Sequence, residues 1–155
     1  MLPDEVATSS FTEFVEGSEL RLRQALMASF GPDVGRDAAA EALAYGWEHW
    51  DRVSGMENPI GYLYRVGQTG GRRMTKRRPM EFPAVSVVRL PWVEPGLPKA
   101  MQRLPERQRE VVFLLYAYDW SMSEVAELLG VSKSSVQSYS DRAMRRLRRW
   151  MKVES

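Results

Sequence analysis

The chain has 155 residues, 44% of them hydrophobic and 27% charged, which suits one globular domain or two small ones. It contains no cysteine, and this excludes disulfide bonds, thiol catalysis and thiolate metal sites. The net charge of +2 is unevenly divided, since eleven acidic residues stand against four basic ones up to Asn58, and nine against eighteen from Pro59 onward; the later part suits a polyanion and the earlier part a basic protein surface.

The first part of the chain predicts two amphipathic helices. Residues 1–10 have no periodicity and are expected to form a frayed tail, and apolar residues at helical spacing then run from Phe11 to Phe30 until Gly31-Pro32 ends the helix. A second helix is predicted over about 35–51. Its inward residues would be Ala38, Ala42, Leu43, Trp47 and Trp50, with Asp37, Glu41 and Glu48 outward.

A third helix is predicted to begin at Asn58-Pro59, a capping residue followed by proline at the first helical position. Three glycines, Gly67, Gly70 and Gly71, are expected to weaken it, and it ends in the basic run of residues 72–78. Tyr62 and Tyr64 are most simply core residues, but the basic run makes stacking of one ring on a single strand of nucleic acid a second interpretation.

Five prolines between Pro79 and Pro98 exclude a long helix and indicate an extended linker. Its apolar residues suggest that it lies in a groove of a partner. A short helix over 97–104 and another beginning at Pro105 are predicted next, the second packing against the segment that follows.

That segment, residues 120–152, predicts a helix-turn-helix. Ser121 and Glu124 have capping-box spacing, Gly130 falls where a helix ends in the left-handed conformation, and Ser132 is placed to cap the next helix. The last helix has an apolar stripe from Val136 to Trp150. Its first turns are polar, which suits contacts with base edges. Its arginines follow, and they suit contacts with phosphates. The alternative is a plain helical hairpin with a solvated basic face.

The sequence gives little support to other classes of function. The single histidine, His49, lies between Trp47 and Trp50 and is expected to be a helix-surface or half-buried residue rather than a ligand or base. We therefore expect no catalytic residues, no metal and no cofactor. No apolar run reaches the roughly 18 residues that span a membrane. We therefore expect a cytoplasmic protein with an all-α fold of two small helical domains, separately packed over residues 9–78 and 97–152 and joined by a proline-rich linker over 79–96.

With these residues laid out, the chain resembles bacterial sigma factors of the sigma-70 family, in the extracytoplasmic-function group that keeps only regions 2 and 4. The stretches LPERQREVVFLLY (residues 104–116) and SMSEVAELLGVSKSSVQSYSDRAMRRLR (121–148) resemble region 4. The stretches DAAAEALAYGW (37–47) and NPIGYLYRV (58–66) resemble region 2.

The resemblance implies a promoter-specificity subunit for RNA polymerase, working at the bacterial nucleoid, with promoter DNA and the clamp and flap of the polymerase core as partners and an anti-sigma factor as a candidate partner. The polymerase-binding positions would be Asp37 and Glu41. The −10 element would be bound by Asn58, Tyr62, Tyr64, Arg65, Arg72 and Arg73. The −35 element would be read by the recognition helix through Lys133, Ser134, Ser135, Gln137, Ser138, Arg142, Arg145 and Arg146.

The chain departs from the family pattern in its region 2. Alanines stand at positions 38–40 where larger residues are usual, and Gly70, Gly71 and Arg73 replace helix formers and an acidic residue. These departures leave open a second interpretation, a sigma-like helix-turn-helix regulator that binds DNA without full promoter-melting activity.

Overall fold

The computed structural model describes residues 3–79, 81 and 96–153, and within these ranges the chain forms eight α-helices and no β-strand, as predicted for an all-α protein. The helices are α1 (Pro3–Phe30), α2 (Pro32–Glu48), α3 (Trp50–Val53), α4 (Pro59–Thr75), α5 (Leu97–Arg103), α6 (Glu106–Val112), α7 (Met122–Leu129) and α8 (Lys133–Val153), with a π-helical turn (Phe113–Ala117) after α6. The predicted linker lies largely outside the described residues.

The first helix begins earlier than its sequence pattern predicted. The expected frayed tail is helical from Pro3, because Ala7 packs against the core and Ser10 accepts a hydrogen bond from the Trp50 indole N–H at 3.3 Å. Asp4 and Glu5 in the first turn suit the positive end of the helix dipole. The prediction of a frayed tail was therefore wrong.

Helices α1, α2 and α4 form the N-terminal module, residues 3–79, and glycines set their spacing. A Cβ atom at Gly35 would lie 2.4 Å from the Cα of Met27, so α2 approaches the backbone of α1. A Cβ at Gly71 would lie 2.3 Å from the Phe30 ring. The glycines expected to weaken α4 are therefore the points where this helix packs most closely. Trp47, predicted to face inward, is 47% exposed.

The C-terminal module, residues 96–153, is built as its local signals predicted. Helices α5 and α6 and the π-helical turn pack against α7 and α8, with Val111, Val125 and Val136 fully buried. In α8 the inward stripe of Val136, Ala143 and Leu147 is at most 7% exposed.

The two modules are not separately packed, contrary to the prediction. Their buried apolar residues form one continuous cluster, and the Arg109 guanidinium of α6 donates hydrogen bonds of 2.7 and 3.0 Å to the backbone oxygen of Ser29 in α1. The Trp120 indole N–H donates to the Gln24 side chain at 2.9 Å. Helical periodicity shows that a face is apolar but not which partner covers it, and this is why the sequence did not predict the contact.

Buried polar side chains join the modules beside this contact. The Gln68 amide of α4 donates hydrogen bonds to the Tyr64 hydroxyl at 3.2 Å and to Oε1 of Glu110 in α6 at 3.0 Å. The Glu110 side chain is fully buried, and burial raises the pKa of its carboxyl group. Protonation or deprotonation of the Glu110 carboxyl group should therefore change the stability of the contact between the modules.

Candidate nucleic-acid interface

Helix α7 begins with a reciprocal capping box and ends at a left-handed glycine. The Ser121 hydroxyl accepts from the backbone N–H of Glu124 at 3.1 Å, and the Glu124 carboxylate accepts from the backbone N–H of Ser121 at 2.9 Å. These bonds, helped by the nearby Arg21, lower the pKa of the Glu124 carboxyl. Gly130 ends α7 with φ +69°, the left-handed region that glycine enters without steric cost. The predicted helix-turn-helix is thus confirmed in each of its local signals.

Helix α8 begins with a cluster of serines that serve as its cap. The Ser132 hydroxyl accepts from the backbone N–H of Ser135 at 3.1 Å and lies 3.0 Å from the hydroxyls of both Ser134 and Ser135. Of the predicted base-reading residues, these two serines therefore take part in the cap, although Ser134 is exposed. Lys133, Gln137 and Ser138 are the exposed side chains on the first two turns that lie outside the cap.

Gln137 is oriented by its own helix. Its amide nitrogen donates a hydrogen bond of 2.8 Å to Oδ1 of Asp141, one turn further along. This contact uses one of the two amide hydrogens and leaves the other hydrogen and Oε1 available. A donor and an acceptor side by side match the major-groove edge of adenine.

The arginines predicted to contact phosphates lie together. Arg142, Arg145, Arg146 and Arg149 line one open depression on α8, and Arg142 and Arg145 are exposed. Arg149 was not among the predicted site residues, although its spacing of three and four residues from Arg146 and Arg145 places it on the same helix face. Four guanidinium groups on one face suit a phosphate backbone.

In the N-terminal module the predicted −10 residues do not form one open surface. Tyr64 is 1% exposed, its hydroxyl lies 3.1 Å from that of Ser29, and burial raises its pKa, so it cannot stack on a base in this arrangement. Asn58 caps α4 through the backbone N–H of Gly61 at 3.1 Å and donates to the backbone oxygen of Glu127 in α7 at 3.0 Å. The packed arrangement therefore withholds Tyr64 from DNA, and its assignment to the −10 element stays a prediction.

Other predicted −10 residues remain nearer the surface. Tyr62 is half-buried, its hydroxyl lies 3.2 Å from that of Tyr45, and Arg65 is exposed. Arg72 reaches across to the second module, where it donates to the Glu106 carboxylate at 2.6 and 3.3 Å. This hydrogen bond raises the pKa of Arg72.

The two predicted polymerase-binding acids lie one turn apart on α2, and both are paired with arginines. The Glu41 carboxylate accepts two hydrogen bonds from Arg73, at 2.6 and 2.7 Å. The Asp37 carboxylate accepts from Arg78. Sequence spacing predicted the acidic face, but it did not predict that the end of α4 would lie against it.

An apolar groove in the C-terminal module was also not predicted. It is lined mainly by Leu97, Met101, Phe113, Tyr116, Met144 and Met151, and Tyr116 is 53% exposed. Three separate stretches of chain build it, so no single periodic pattern could have indicated it. Among the described residues no acidic or histidine cluster could hold a metal ion, and no described helix is long and apolar enough to cross a membrane.

Residues 96–147 match the protein family described as Sigma-70, region 4. The whole fold is similar to the sigma factor RpoE of Bartonella quintana, solved in complex with the anti-sigma factor NepR, with a TM-score of 0.59 and 21% identity over 94% of this chain and 99% of that one.

A second solved structure agrees with the first. The fold is similar to CnrH, solved in complex with the cytosolic domain of CnrY, with a TM-score of 0.61 and 22% identity over 96% of this chain and 91% of that one. Residues 96–147 therefore form a sigma-70 region 4 domain, and the whole chain has the fold seen in RpoE and CnrH. No curated protein matches the sequence.

The family match places the helix-turn-helix of this chain in region 4 and covers both α7 and most of α8. For the N-terminal module, the similarity to RpoE and CnrH concerns the fold, since the identities are 21% and 22%.

Proposed function

We propose that the chain is a sigma factor that directs the RNA polymerase core to promoters by reading the −35 element with α8 and binding the −10 element with α4. The observation that carries this proposal is the division along α8, where Gln137 presents a free donor and acceptor ahead of an arginine cluster. Base edges are read by such polar pairs, and phosphates are held by cations.

The polymerase core would be bound by both modules. Asp37 and Glu41 present two carboxylates on one face of α2, which suits the basic surface that the family resemblance places on the clamp. The apolar groove of the C-terminal module suits an amphipathic helix, and we assign it to the flap. No catalytic step is required of the chain in this role.

An anti-sigma factor is a further proposed partner. RpoE and CnrH were solved with the anti-sigma factor NepR and with the cytosolic domain of CnrY, respectively. This chain offers an exposed apolar groove for such a partner, and occupation of the groove would compete with the flap.

Promoter melting would require the modules to separate. Tyr64 is buried between them and the Asn58 amide is bonded to the backbone of Glu127, so the packed arrangement withholds two of the proposed −10 residues. Opening would expose an aromatic ring, and stacking of a base on an aromatic side chain contributes about 1–3 kcal/mol.

The absence of cysteine permits a direct test of this opening. In the double variant Asn58→Cys/Glu127→Cys, a short bis-maleimide linker would hold the modules together, and permanganate would detect unpaired thymines in promoter complexes formed with core polymerase. We expect no reactive thymines with the linked protein and, with the unlinked variant, the same reactivity as with the Asn58→Ser/Glu127→Ser control.

The control is the double variant Asn58→Ser/Glu127→Ser treated with the same reagent. Equal thymine reactivity in linked and unlinked proteins would contradict the need for opening. If no protein, including the wild type, gives reactive thymines and the chain still protects duplex DNA from cleavage, the alternative is favoured. The chain would then be a DNA-binding regulator that does not melt promoters.

A further inference from the structure

Two ion pairs join the acidic face of α2 to the basic end of α4. Glu41 is bound by Arg73 through two hydrogen bonds, and Asp37 is bound by Arg78. The four side chains are between 42% and 58% exposed, so each pair lies at the surface and within reach of another protein or of DNA.

These pairs form where the chain departs from the sequences it resembles. Arg73 stands at a position where an acidic residue is usual. Gly70 stands where a helix former is usual, and a Cβ atom there would lie 3.0 Å from Oε1 of Glu41. The glycine thus leaves room for the carboxylate beside α4, and the arginine one turn further supplies its partner.

Each pair therefore occupies two groups that the proposed function needs elsewhere. Asp37 and Glu41 are the carboxylates proposed to meet a basic polymerase surface. Arg73 is among the residues proposed to meet the −10 DNA, and Arg78 lies in the same basic run just beyond α4. While the pairs are intact, the acids are neutralised for polymerase and the arginines are neutralised for phosphates.

We propose that the pairs Glu41–Arg73 and Asp37–Arg78 couple polymerase binding to promoter binding, so that a basic polymerase surface on the acids releases both arginines for DNA phosphates. This inference rests on the proposed function, since it assumes that α2 meets polymerase and α4 meets DNA. Coupling between two binding sites is reciprocal, so loss of the arginines must also change polymerase affinity.

The strength of the pairs suits such an exchange. Exposed ion pairs contribute little, because side-chain entropy and screening oppose them. Two such pairs correspond to a combined factor of about three to ten in a binding constant. An incoming charged surface can therefore replace them, and raised salt should weaken the coupling.

The first experiment uses the free chain with both acids neutralised, Asp37→Asn/Glu41→Gln, and measures binding to a short mixed-sequence single-stranded DNA by fluorescence anisotropy. We expect binding about three- to tenfold tighter than wild type at low salt. The salt dependence should steepen by about 1.4 units of slope, because two further phosphates are neutralised.

A matched control separates this effect from a general change of charge. Glu48→Gln/Asp51→Asn removes two exposed acids from the neighbouring surface, and no ion pair involves either of them among the described residues. A gain in the control equal to that of the double variant would overturn the proposal. Thermal unfolding of both variants checks that the fold is retained.

The reciprocal experiment removes the arginines. Arg73→Gln/Arg78→Gln should bind purified core polymerase about three- to tenfold more tightly than wild type, because the acids are freed. Its free-chain affinity for DNA should stay within about twofold of wild type, whereas its holoenzyme should bind promoter DNA less tightly. Unchanged core affinity would overturn the coupling even if the wild-type protein supports transcription, and absence of any core binding by the wild type would instead overturn the proposed function.

Discussion

Replacing Gln137 by alanine tests how α8 reads DNA. The side chain is exposed on the second turn, and its amide is held by Asp141 at 2.8 Å with one hydrogen and Oε1 free. If these two atoms pair with an adenine, Gln137→Ala should cost about 1–3 kcal/mol on the preferred sequence, which is roughly a 5- to 150-fold loss of affinity. The free energy of unfolding should change by less than about 0.5 kcal/mol, because the lost contact is a surface pair at i and i+4.

The assay is affinity for a preferred promoter duplex and for duplexes changed at single base pairs, each at several salt concentrations. Gln137→Ala should lose its preference at one base pair and bind duplexes changed there as the wild type does. Arg145→Ala is the matched comparison, since it should weaken all duplexes alike and flatten the salt dependence by about 0.9 units of slope. Equal weakening of every duplex by Gln137→Ala would refute the reading of a base by this residue.

Three further predictions concern stability and are measured by chemical denaturation. Gly35→Ala should lower the free energy of unfolding by about 1–3 kcal/mol, because the added Cβ would meet the backbone of Met27. Gly17→Ala, with no neighbouring atom within 4 Å, should raise the free energy of unfolding by about 0.5–1 kcal/mol. Similar effects of the two changes would contradict the close helix packing. Glu110→Gln should flatten the pH dependence of the free energy of unfolding. Because the pKa of Glu110 is raised, its contribution to wild-type stability is complete below the ordinary glutamate pKa and is lost as pH rises through the raised value. An unchanged pH profile in the variant would count against a buried carboxyl group. Gly130→Ala should cost about 1–2 kcal/mol because φ is +69° there, and a neutral result would exclude the left-handed cap.

The C-terminal module was largely predictable because its signals are local. A capping box, a left-handed glycine and a capping serine each depend on residues within four positions of one another, and all three are present. The arginine face of α8 follows from helical spacing alone. Ser134 and Ser135 were predicted to read bases, but their hydroxyls lie against Ser132 in the helix cap. The sequence does not show that a hydroxyl is already bonded in this way.

The N-terminal module was less predictable because its features depend on distant partners. Gly71 weakens an isolated helix, but here it admits the ring of Phe30, which is forty-one positions away in the chain. Tyr64 lies in an aromatic and basic stretch, yet Ser29 and the second module bury it. The pairing of Glu41 with Arg73 likewise depends on how α2 crosses α4.

The most direct test of the central claim is run-off transcription with the full chain, purified core polymerase and a library of promoter templates. A sigma factor that reads both promoter elements should give transcripts that begin at a defined distance downstream of a shared pair of sequence elements, and core polymerase alone should give none of them. Binding of the chain to duplex DNA without any added transcript, under conditions in which a known sigma factor supports transcription by the same core, would contradict the account.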